Sequence, residues 1–81
     1  MTIVEEVRQH LKQFGISPRC WYERPESTQW LLLYFNGFIP SPNWFVTLFE
    51  GKVELITNPH RTEIQARKDF ERRAEQLAEA Q

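Results

Sequence analysis

The chain has one cysteine, Cys20, and that scarcity excludes two frameworks. No intramolecular disulfide can form, and no zinc site can be built from cysteines alone. A lone thiol fits a reducing compartment. Glycine is scarce as well. Gly15, Gly37 and Gly51 are the only three, too scattered for a phosphate-cradling glycine loop, and each fits a turn or a helix end. Neither sign of charge is in excess, since ten basic side chains stand against eleven acidic ones. The balance holds locally: the segment from residue 57 onward has Arg61, Arg67, Lys68, Arg72 and Arg73 against Glu63, Asp69, Glu71, Glu75 and Glu79. A nucleic-acid binder needs a cationic footprint for phosphates, and none stands out. The acidic excess of a DNA mimic is missing too. The longest apolar run, Trp30 to Phe35, falls far short of the ~20 residues that span a bilayer. The first ten residues hold Glu5 and Glu6 where a secretory leader needs bases. The expectation is a cytoplasmic protein with no membrane segment.

What the chain does have is rings. Aromatics make up 14% of its 81 residues. A chain this short forms one domain over residues 1–81, and large rings are an efficient way for it to bury apolar area. Rings become informative about function only if they outnumber the places a core can hold.

The first helix is marked clearly. Thr2 and Glu5 stand in capping-box spacing. Val4, Val7, Leu11 and Phe14 then recur on one helical face, and Gly15 is placed to end the helix. Arg19 to Glu23 reads as a short strand, Pro25 to Thr28 as a loop, and Gln29 to Phe35 as a strand. Asn36-Gly37 is a turn dipeptide. The prolines of Phe38 to Asn43 exclude a central strand there. Trp44 to Phe49 and Lys52 to Ile56 read as a hairpin around Glu50-Gly51. Asn58-Pro59 reads as an N-cap with proline at the first helical position, opening a second helix that runs to about Ala78 with Ala66, Phe70, Ala74 and Leu77 on its apolar face. The fold class is therefore α+β: a four-stranded antiparallel β-meander flanked by an N-terminal and a C-terminal helix, in the order α-β-β-β-β-α, with both helices expected on one face of the sheet.

That arrangement leaves a question about the second face. Pairing across Glu50-Gly51 sets Phe49 opposite Lys52 and Leu48 opposite Val53. One face then holds Trp44, Val46, Leu48, Val53 and Leu55; the other holds Phe45, Thr47, Phe49, Lys52, Glu54 and Ile56. The strand Gln29 to Phe35 is apolar on both faces, with Trp30, Leu32 and Tyr34 on one and Leu31, Leu33 and Phe35 on the other. Such a strand expects cover on both sides. With both helices on one side, rings would be exposed on the other, and exposed rings mark interfaces. The alternatives are a helix on each face, or the segment Phe38 to Pro42 folded back as a lid.

The functional expectation follows from that patch: a small non-enzymatic protein-interaction module that contacts a protein partner or a second copy of itself, as a dimer, a subunit of a complex or an inhibitor. Its contact residues would be Trp21, Trp30, Tyr34, Phe38, Phe45 and Phe49, with Arg24, Lys52 and Glu54 as a polar rim. The alternative is nucleic-acid binding through Arg67, Lys68, Arg72 and Arg73 on the second helix, with the rings as stacking platforms. No cofactor, metal or catalytic residue is expected. His10, His60 and Cys20 lack local ligand spacing, and no nucleophile, base and orienting group stand in a known spacing.

Overall fold

The computed structural model describes residues 2–38 and 43–79. Its elements are α1 (Ile3–Gln13), β1 (Ile16–Glu23), β2 (Gln29–Asn36), β3 (Trp44–Glu50), β4 (Val53–His60) and α2 (Glu63–Glu79). The strands form one antiparallel sheet in the order β1-β2-β3-β4. The α-β-β-β-β-α meander is thus the observed fold.

Local chemistry accounts for most boundaries. Thr2 caps α1, its Oγ1 accepting from the Glu5 N–H at 3.2 Å, and Glu5 and Glu6 place negative charge on the first turn. Gly15 follows the helix with φ +75°, a conformation that costs glycine nothing. Close packing adds a second reason for glycine, because a Cβ there would run into the Phe38 ring. Pro18 lies within β1, where an edge strand tolerates the missing N–H, and Arg19 is left unpaired by a bulge beside it.

Two sequence expectations are corrected at the last hairpin and helix. The turn is Gly51-Lys52, with Glu50 opposite Val53 and Gly51 at φ +59°. A two-residue hairpin with glycine first favours this placement over Glu50-Gly51. Beyond it Phe49 pairs with Glu54 and Leu48 with Ile56, so Leu55 is the extra residue of a β-bulge. Asn58-Pro59 does not open α2 but continues β4. The cap is Thr62, whose Oγ1 accepts from the Gln65 N–H at 3.2 Å. Thr62 to Gln65 is itself a T-x-x-Q capping-box spacing.

The helices lie one on each face, not together. Val4, Val7 and Leu11 of α1 pack with Trp30, Leu32, Tyr34 and Phe49. Ala66, Phe70, Ala74 and Leu77 of α2 pack with Leu31, Leu33 and Val46 on the other side. The physical reason is β2. Its five residues Trp30 to Tyr34 are all buried, which needs cover on both faces. The α1 backbone runs closest to β1 while its apolar side chains reach β2 and β3, whereas α2 spans β2, β3 and β4.

Candidate interaction surface

The rings expected at an interface divide sharply. Trp30, Tyr34 and Phe49 are buried beneath α1. Trp30 stacks on Phe49 with centroids 4.4 Å apart, and its Nε1–H donates to the Gly51 carbonyl at 2.9 Å. Tyr34 stacks on the half-buried Phe45 at 5.5 Å. These are core residues whose ring area is already spent inside the molecule. Trp21 is 39% exposed, but the Arg8 guanidinium sits 3.5 Å above its ring. Phe38 is 75% exposed and leans on Gly15. Residues 39–42, the rest of the supposed lid, lie outside the described residues. The aromatic face expected from sequence is therefore closed, because the face left bare in that picture is covered by a helix.

The rim residues are tied up locally. Arg24 donates to Gln29 Oε1 at 3.1 Å. Lys52 reaches Glu6 of α1 at 3.1 Å. Glu54 accepts from the Thr57 hydroxyl at 2.8 Å. That last contact depends on the bulge: the extra residue puts Glu54 and Thr57 on one face although they are three apart.

A different apolar surface is exposed. Val53 is 62% exposed, and Leu55 and Ile56 are each 46% exposed, all on the outermost strand β4. The expected register had turned Val53 and Leu55 toward a helix. Val53, opposite Glu50, keeps that face, and the bulge at Leu55 brings Ile56, opposite Leu48, to the same side. Neither packs into the α2 core, so the strip is exposed through incomplete helix cover rather than through the register.

The basic positions of α2 are mostly committed. Arg67 lies 3.6 Å from Glu63. Arg72 and Arg73 both donate to Asp69 Oδ1, at 2.8 and 3.0 Å. Lys68 remains, lining a shallow depression with Pro59, His60, Arg61 and Gln65. Asp69 is the hub of this region, a buried carboxylate that also accepts from His60 Nε2 at 2.9 Å and Asn58 Nδ2 at 3.2 Å. Burial alone would raise its pKa. The hydrogen bonds from His60, Arg72 and Asn58 and the Arg73 charge outweigh burial and hold the carboxyl well below the usual aspartate range. The cluster ties β4 to α2.

Cys20 is half-buried against the α2 core, and burial pushes its thiol up, away from the thiolate a nucleophile needs. His10 is exposed, with its ring edge-on to Phe14 at 5.1 Å. Among the described residues no three His, Cys, Asp or Glu side chains converge as metal ligands, and no helix is long and apolar enough to cross a membrane. No family model, curated protein or solved structure matches the chain, so function is argued from its own residues.

Proposed function

We propose that this chain is a small non-enzymatic protein-interaction module that engages a partner protein, or a second copy of itself, through the side chains of β4. The observation that carries the reading is the exposure of Val53, Leu55 and Ile56 together on one strand. Single exposed apolar residues are ordinary; a contiguous set on an outer strand is a feature of contact surfaces. The bulge at Leu55 and the proline at position 59 blunt β4 as a template for strand addition. Contact therefore runs through side-chain packing rather than main-chain pairing. The single free thiol supports a cytoplasmic setting. Nucleic-acid binding through α2 has less support, since three of its four named cations already face carboxylates.

The test compares wild type with the double variant Val53→Lys, Ile56→Lys. Light scattering across a wide concentration range reads self-association, and affinity capture under native conditions reads a different partner. The reading expects one of the two to be present in wild type and lost in the variant, with helical circular dichroism unchanged. Identical mass and identical captured proteins for both chains would end it.

A further inference from the structure

The other face of the hairpin carries a separate feature. The α1 backbone runs closest to β1, and a groove of about 440 Å³ lies between the helix and the β3–β4 hairpin. Such a volume falls within the range of small-molecule sites, about 300–1,000 Å³. Val7, Leu11 and Phe49 give it an apolar lining, and Glu6, His10, Lys52 and Glu54 its polar groups.

A chain of hydroxyls ends on Glu54, its one member in the groove lining. Tyr34 Oη lies 3.0 Å from Thr47 Oγ1, Thr47 Oγ1 lies 3.2 Å from Thr57 Oγ1, and Thr57 Oγ1 lies 2.8 Å from Glu54 Oε1. An ionised carboxylate only accepts, so the Thr57 proton points to Glu54. The Thr57 oxygen then accepts the Thr47 proton, and the Thr47 oxygen accepts the Tyr34 proton. All three hydroxyl protons are used in the direction of Glu54. The chain therefore presents the groove with an acceptor and no donor. Lys52 and Glu6 cancel each other's charge in their ion pair. Among the described residues no cation pairs with Glu54.

We propose that this groove binds a small organic ammonium ion, a molecule with an apolar body about the size of one ring and a protonated primary amine. The body packs on Val7 and Leu11 and on the small part of Phe49 that reaches the groove, and the ammonium donates to Glu54. An anion of the same shape would be repelled by Glu54 and would find Lys52 already paired with Glu6. The inference is independent of the β4 strip, because Ile56 pairs with Leu48 on the α2 face while Glu54 pairs with Phe49 on the α1 face.

The experiment is a titration of ¹⁵N-labelled protein with phenethylammonium and, separately, with 3-phenylpropanoate, followed by amide NMR shifts. Phenethylammonium is expected to shift Val7, Leu11, Phe49 and Glu54 saturably, and 3-phenylpropanoate to bind more weakly or not at all. Glu54→Gln should weaken the ammonium by about tenfold or more, as loss of a charged hydrogen-bond partner does. Lys52→Met, which leaves Glu6 and Glu54 both uncompensated, should tighten it. Absence of a saturable shift in the groove would overturn the proposal. So would equal binding of the carboxylate, unchanged affinity in Glu54→Gln, or weaker ammonium binding in Lys52→Met.

Discussion

The two faces of this sheet are covered by unequal helices. α2 has 17 residues and spans three strands; α1 has 11, and its backbone runs closest to β1. On the α2 face the helix covers the centre of the sheet, bringing small and apolar side chains to Leu31, Leu33 and Val46 and clasping β4 through Asp69, while Val53 and Ile56 at the hairpin end are left exposed. On the α1 face the shorter helix leaves work for the sheet. There the large rings lie flat against one another, Trp30 on Phe49 and Tyr34 on Phe45, and a hydroxyl chain satisfies the polar groups between them. Aromatic abundance in this protein substitutes for a missing stretch of helix. It does not advertise a binding face.

The sharpest way to break that comparison is Trp30→Ala. If the ring is core, the change removes a stacked partner and the hydrogen bond to Gly51, and should destabilise the fold by about 3–5 kcal/mol in urea unfolding. Next in size is Asp69→Asn, which leaves His60, Arg72 and Arg73 facing a neutral amide. Its expected cost is about 3 kcal/mol, in line with broken buried ion pairs.

The same carboxylate gives a pH signature. Its folded pKa lies below its unfolded value, so its contribution is complete above about pH 4, the unfolded range, and is lost as pH falls through the lower folded value. The wild-type urea midpoint should therefore drop between pH 5 and the strongly acid range, and Asp69→Asn should show less of that drop. An equal acid slope in both chains would remove Asp69 as its source. On the other face, Thr57→Val cuts the hydroxyl chain next to the buried Thr47 and should cost about 1 kcal/mol. The smallest effect is expected at Glu26, a non-glycine residue at φ +56° in the β1–β2 turn. Glu26→Gly relieves that strain and should change stability by less than about 1 kcal/mol, in the stabilising direction.

Much of the fold was legible in the residues because its signals are local. Thr2 and Glu5 mark the cap of α1, Gly15 its end, and the run from Trp30 to Tyr34 the central strand. The doubly apolar β2 even carried the correct objection to two helices on one face. What could not be read depended on register. The bulge at Leu55 moves every later residue of β4 to the other face, and nothing in Val-Glu-Leu-Ile marks which residue is the extra one. Asn58-Pro59 misled because it is a sound helix start taken alone; its place on an edge strand makes the proline harmless and frees the Asn58 amide for Asp69. The expected interface rings failed as surface residues for a different reason: the face assigned to them has its own helix. Phe38 and part of Trp21 remain exposed from that set, while the β4 strip escaped notice because its face was taken to be fully covered by helix.

Unfolding by urea of Phe49→Ala beside Ile56→Lys tests the central claim most directly. The account predicts a loss of several kcal/mol for Phe49→Ala, because its ring is core. It predicts a change within about 0.5 kcal/mol for Ile56→Lys, because that side chain faces solvent in the isolated chain. Comparable losses, or a larger loss for Ile56→Lys, would mean that β4 is covered and the contact surface lies elsewhere.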